Sequence, residues 1–200
     1  MKTLAQTLNE SLELFERYTD KDDIIVKTLS KYDMHLIGGT AINLWCNKLH
    51  LPKARSRSNN DLDFYTRASN KSGIQKAIEY LGAEGFTDLD KNSFIIHAVN
   101  DDHTIEVDIL IDAENLPKSM FMKHAGVSVM SPVYLFASKF DRYINSFDSQ
   151  RKKTDEIDLL QLLKIISIMD MVDELEQMLQ TRNYDASTER KLNMLIDRMN

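Results

Sequence analysis

Asp61-Leu62-Asp63 places two carboxylates two residues apart at the head of Leu62-Asp63-Phe64-Tyr65-Thr66, a stretch that reads as a β-strand. Side chains alternate across a strand, so both carboxylates share one face while Leu62 turns to the core between them. Two like charges this close repel unless a cation neutralises them, and oxygen ligands suit a hard divalent ion such as Mg2+. A solvated strand edge carries the same pattern. Here, however, the pair follows a loop and leads an apolar strand, which is where sheet-edge sites are built. Asp108 is the third candidate, within Thr104-Ile105-Glu106-Val107-Asp108-Ile109-Leu110-Ile111. A charge embedded in an apolar strand is costly unless paired or coordinated. Glu106 points to the same face, either as a supporting group or, on the blander reading, as a solvated edge residue.

An anion site of a different kind is suggested by Gly38-Gly39-Thr40-Ala41, which follows the short apolar run His35-Leu36-Ile37 and opens a helical pattern. Glycines let the backbone come close to a phosphate, a helix N-terminus presents unpaired N–H groups, and Thr40 adds a hydroxyl. The same residues also make an ordinary strand-to-helix turn. Lys53, Arg55 and Arg57 concentrate positive charge just before Asp61, either to grip an RNA backbone or as a solvated loop. Trp45 and Cys46, in the helix after the turn, read as packing residues. None of the five histidines shows metal-ligand spacing along the sequence, which argues against a zinc site.

The elements that must position these groups follow from periodicity and turn residues. Leu4, Leu8, Leu12, Leu14 and Phe15 recur at helical spacing, and a second helix is expected over Asp22 to Lys31. A strand at His35 to Ile37 precedes the glycines, and Thr40 to Asn47 is helical. Leu51 to Asn60 reads as a loop. After the strand Leu62 to Thr66, Ser72 to Leu81 is a helix stopped by Gly82 or Gly85. Phe94 to Val99 and Thr104 to Ile111 form a hairpin across Asn100-Asp101-Asp102. Val127 to Val129 adds an edge strand, and helices are expected over Val133 to Phe147, Thr154 to Thr181 and Ser187 to Met199. The pattern predicts an α+β core over residues 1–130 with N-terminal helices, and a helical part over 131–200 packed on it.

Composition agrees with a folded protein: 200 residues, 42% hydrophobic and 28% charged, with three prolines. The net charge of −6 argues against a general nucleic-acid coat protein but allows a local basic patch. One cysteine cannot form an internal disulfide, which suits a reducing cytoplasm. The start, Met1-Lys2-Thr3-Leu4-Ala5-Gln6, lacks the apolar stretch of a signal peptide. Leu159 to Met169, broken by Gln161 and Lys164, is too short to span a bilayer. A cytoplasmic protein with no membrane partner is expected.

The order of these features is itself informative. A strand, Gly-Gly, a helix, an Asp-x-Asp strand and a later strand with one isolated Asp resemble the DNA polymerase beta-type nucleotidyltransferases. Within that superfamily the chain resembles the AbiEii-like (MenA-like) branch, known as toxins of type IV toxin–antitoxin and phage-abortive-infection systems. Gly38-Gly39-Thr40-Ala41 matches that branch's turn, and Arg57-Ser58-Asn59-Asn60-Asp61-Leu62-Asp63 matches its Arg-x-Ser-x-Asp-x-Asp pattern, with Asn59 in the usual serine or threonine position. Two looser matches follow: Lys139 in Leu135-Phe136-Ala137-Ser138-Lys139-Phe140, and Lys153 with Asp155-Glu156-Ile157-Asp158-Leu159, where Thr154 intervenes. The resemblance covers about Leu36 to Leu163. It implies a mixed sheet flanked by helices, and two Mg2+ ions (or Mn2+) on Asp61, Asp63 and Asp108, roughly 3.5–4 Å apart. It further implies a nucleoside triphosphate bound by Gly38, Gly39, Thr40, Arg57 and Lys139, with a nucleoside monophosphate transferred to an acceptor hydroxyl. The acceptor could be tRNA, with Lys53 and Arg55 on its backbone and an antitoxin as protein partner. Asp155 and Asp158, three apart on one helical face, fit either a supporting role in holding Lys139 or Arg151 or a helix N-terminal charge cluster that favours the dipole. Alternatives on the same scaffold are a small-molecule, antibiotic-type adenylyltransferase and a catalytically inactive nucleotide- or RNA-binding protein.

Overall fold

Seven strands and seven helices make up a computed structural model that describes residues 22–52, 60–91, 94–101, 104–112, 116–182 and 184–199. Helix α1 is described over 22–31, followed by β1 (His35–Leu36), α2 (Gly38–Lys48), β2 (Asn60–Arg67), α3 (Lys71–Ala83), β3 (Phe86–Lys91), β4 (Ile95–Asn100) and β5 (Ile105–Asp112). A short 3-10 turn (Lys118–Met120) leads to β6 (Phe121–His124) and β7 (Val127–Met130), then to α4 (Pro132–Asn145), α5 (Ser149–Ile168), α6 (Val172–Thr181) and α7 (Ala186–Met199). The sheet order is β3-β4-β5-β2-β1-β7-β6. It is mixed: β2 runs parallel to β5, while β1–β2, β3–β4 and β4–β5 are antiparallel. This is the expected α+β class.

The described residues fall into two compact units. The first holds α1, β1, β2, α3, β3, β4 and β5 with the turn of the β6–β7 hairpin. Its core is made by the inward side of each strand: Leu36, Leu62, Phe64, Ile96, Ala98, Val107 and Ile109 are buried. Asn70 ties three elements of this unit together. Its Oδ1 caps α3 by accepting from the Gly73 N–H at 3.1 Å, and its Nδ2 donates to the Tyr32 carbonyl at 2.8 Å and to Thr66 Oγ1 at 3.0 Å. The cap satisfies one of the amides a helix start leaves open.

The second unit holds α2 and α4 to α7. Pro132 occupies the first turn of α4, where a missing N–H costs nothing. Asp148 caps α5 by accepting from the Gln150 and Arg151 amides. Val133, Phe136 and Phe140 of α4 are buried, as are Leu159, Leu162, Leu163 and Ile166 of α5. Trp45 of α2 is fully buried and donates its indole N–H to the Met130 carbonyl at 2.9 Å. Cys46 is buried, and Gln161 Nε2 reaches its sulfur at 3.4 Å. Both residues are packing groups, as the sequence reads.

Several boundaries differ from the sequence reading. β3 and β6 were not expected, and β6 rather than β7 is the edge strand. The single helix anticipated over Thr154 to Thr181 is two helices, broken at Asp170, which takes a left-handed conformation with φ 55°. There the Met171 N–H bonds the Ile166 carbonyl and the Asp170 N–H bonds the Ser167 carbonyl, a Schellman closure with aspartate where glycine is usual. The expected helix of Leu4 to Phe15 lies outside the described residues. No helix among the described residues is long and apolar enough to cross a membrane.

Candidate active site

Strands β2 and β5 lie side by side and parallel, with Asp61 opposite Glu106 and Asp63 opposite Asp108. Residues opposite one another on neighbouring strands present their side chains to the same face, with strands about 4.8 Å apart. Leu62, Phe64, Val107 and Ile109 are buried, so the other face of both strands carries Asp61, Asp63, Glu106 and Asp108. β4 lies on the far side of β5 and sets His97 opposite Asp108, while Ile96 and Ala98 are buried. His97 therefore belongs to the same acidic face. Carboxylate oxygens are the donors a hard divalent ion takes. The donor set fits Mg2+.

Within this face the ligand atoms of His97, Glu106 and Asp108 lie within 4.8 Å of one another. His97 Nδ1 is 2.7 Å from Asp108 Oδ1 and 3.5 Å from Glu106 Oε1. Asp61 and Asp63 are not members of that tight group, although they share its face. Spacing along the chain misses His97 because the group assembles across a hairpin. The signal that finds it is alternation: in Ile95-Ile96-His97-Ala98-Val99, pairing with Thr104 to Ile111 sends His97 to the Glu106 and Asp108 side.

Gly38 is the first residue of α2, so this helix starts two residues earlier than the expected Thr40. Its φ of 68° lies in the left-handed region that glycine enters without strain. Ile37 precedes it in extended conformation and supplies no side-chain cap. Gly39 is buried and Thr40 is half-buried. A helix start of this kind leaves its first backbone N–H groups without intrahelical partners.

Lys139 is 7% exposed, with its ammonium 2.6 Å from Asp158 and 3.7 Å from Asp155, both carboxylates being fully enclosed. Arg142 Nε donates to Asp155 at 2.8 Å, and its Nη2 bonds the other oxygen of the same carboxylate. Burial pushes the Lys139 ammonium below the ordinary lysine range, and the adjoining Asp158 charge opposes that shift. Asp155 and Asp158 thus hold Lys139 and Arg142 between α4 and α5, with Arg142 rather than Arg151 as the arginine partner. Lys53, Arg55 and Arg57 lie outside the described residues.

Neither a family model nor a curated protein matches the sequence. Solved structures do resemble the fold. The Megavirus polyadenylate synthase matches 71% of this chain at 16% identity with a TM-score of 0.52, and the chain spans only 29% of that enzyme's length. The antibiotic-resistance factor ANT(2'')-Ia matches 78% of this chain and 94% of its own at 12% identity and a TM-score of 0.46. JHP933 from Helicobacter pylori matches 88% of this chain and 87% of its own at 17% identity and a TM-score of 0.44. At this identity the likeness to the polyadenylate synthase shows the fold and nothing finer: an α+β core with a mixed seven-stranded sheet.

Proposed function

We propose that this protein is a divalent-metal-dependent nucleotidyltransferase that moves a nucleoside monophosphate from a nucleoside triphosphate to an acceptor hydroxyl. The observation that supports it best is the β2–β5 register, with Asp61 and Asp63 on one strand and Asp108 opposite Asp63 on the next. Asp61, Asp63 and Asp108 would hold Mg2+, or Mn2+ in its place. Bound there, the ions supply neutralisation of the triphosphate and activation of the attacking hydroxyl. The backbone amides of Gly38, Gly39 and Thr40 would donate to phosphate oxygens at the positive end of α2. Arg57, by the match of its motif, would add a planar two-donor phosphate contact. Lys139 is held by Asp158, so contact with the triphosphate requires that pair to open; its ion pairs favour a role in setting α4 against α5. Catalysis then rests on positioning and charge compensation rather than on a covalent protein intermediate.

For the acceptor, the resemblance of Arg57 to Asp63 to the AbiEii-like pattern favours tRNA and a toxin role with a cognate antitoxin. The test is incubation with Mg2+, each of the four α-labelled nucleoside triphosphates and total tRNA, with an aminoglycoside as the small-molecule acceptor in a parallel arm. Label on tRNA that Asp63→Asn abolishes is the expected result. Label on the aminoglycoside alone would replace the RNA acceptor with a small one, and no label on either would remove the transferase reading.

A further inference from the structure

We propose that His97, Glu106 and Asp108 form a three-ligand site for a first-row transition-metal ion, with Zn2+ the ion it favours. The donor set is one imidazole nitrogen and two carboxylate oxygens, unlike the all-carboxylate set proposed for Mg2+ on Asp61, Asp63 and Asp108. Imidazole suits Zn2+ and its neighbours, whereas Mg2+ prefers oxygen alone. The spacing also fits. Two donors bound tetrahedrally at about 2.0–2.1 Å stand roughly 3.3 Å apart, and His97 Nδ1 already lies 2.7 Å from Asp108 Oδ1 and 3.5 Å from Glu106 Oε1. Little movement is needed to take an ion in place of the His97–Asp108 hydrogen bond. Strand pairing fixes the three residues: His97 is directly opposite Asp108, and Glu106 lies two positions before Asp108 along β5 on the same face. Their side chains are 32–40% exposed, which leaves a path for the ion and an outer position for water.

The site has a consequence through Asp108. A Zn2+ ion held by His97 and Glu106 draws that carboxylate away from Asp63 and so inhibits transfer. The inhibition rests on the nucleotidyltransferase reading; the binding does not. The experiment is a Zn2+ titration of the full chain against a chromophoric chelator, with Co2+ absorption in the visible as a second probe. The variants are His97→Gln, Glu106→Gln and Asp61→Asn, each checked for folding by circular dichroism. One Zn2+ per chain is expected, with affinity falling at least about tenfold in His97→Gln and Glu106→Gln and staying within about threefold in Asp61→Asn. The Co2+ band should vanish in His97→Gln. An affinity unchanged by His97→Gln, or a wild type with no stoichiometric Zn2+, overturns the site and leaves His97 as a hydrogen-bond partner of Asp108. Absence of label transfer in the wild type would instead remove the transferase reading without touching the zinc result.

Discussion

Gly38 sits at φ 68°, where an L-residue with a Cβ loses about 1–2 kcal/mol. Gly38→Ala should therefore lower unfolding stability by about that amount in urea melts, while Asp61→Asn and Asp63→Asn, which relieve like-charge repulsion, should leave metal-free stability equal or slightly higher. A stable Gly38→Ala protein would mean that the turn relaxes to a negative φ. At the same scale, alternation along a strand is a strong signal. It assigns Asp61 and Asp63 to one face and Glu106 and Asp108 to one face, and the paired register joins the two faces. His97 escapes a search by spacing because its partners lie 9 and 11 residues further on, across the hairpin. Asp155 and Asp158 were legible as a helical pair, but the choice of Arg142 over Arg151 depends on how α4 meets α5, which no local pattern encodes.

Helix ends were the weakest part of the sequence reading, for one recurring reason. Asp33, His50 and Asp170 all adopt left-handed conformations at the ends of α1, α2 and α5. In each case the N–H of the following residue bonds a carbonyl five residues back: Met34 to Leu29, Leu51 to Cys46 and Met171 to Ile166. A search for glycine stops passes over all three. Asp170→Gly should stabilise the α5–α6 junction by up to about 1 kcal/mol, since glycine enters this region without the Cβ penalty; a lower melting temperature would contradict that account. Gly73 behaves oppositely, because a Cβ there would lie 2.2 Å from the Tyr32 carbonyl oxygen. Gly73→Ala should cost about 1–3 kcal/mol through displacement of the Asn70 cap. Between α4 and α5, Asp158→Ala leaves the Lys139 ammonium buried without its nearest partner and should destabilise by about 3–5 kcal/mol. The double variant Lys139→Met with Asp158→Leu should recover most of that loss in the same denaturant titration. β3 went unrecognised because Phe86-Thr87-Asp88-Leu89-Asp90-Lys91 is mostly polar, and its pairing with β4, not its composition, makes it a strand.

Across the molecule, a net charge of −6 opposes binding of any polyanion, so a nucleotide or RNA must be met by local features. For nucleotide, the proposed features are divalent ions held by Asp61, Asp63 and Asp108. For RNA, the proposed source is the basic stretch from Lys53 to Arg57. Neutralising Lys53 and Arg55 together should weaken tRNA binding and reduce the slope of log affinity against log salt by about 1–2, as two lost phosphate contacts imply; an unchanged slope would exclude that stretch as the RNA contact. The α+β class, the acidic strand faces and the glycine turn were all readable in advance. The sheet order was not, since β1 has two residues and β6 and β7 have four each, too short for a periodic signal. The proposed function requires Asp61, Asp63 and Asp108 to act as a metal-dependent nucleotide site. The direct measurement is calorimetric titration of a non-hydrolysable nucleoside triphosphate into wild type and Asp63→Asn, each with Mg2+ and with EDTA. Wild type should bind at least about tenfold more tightly with Mg2+, a gain of about 1.4 kcal/mol or more, and Asp63→Asn should lose that dependence. Equal affinity in EDTA, or full Mg2+ dependence in the variant, would contradict the assignment.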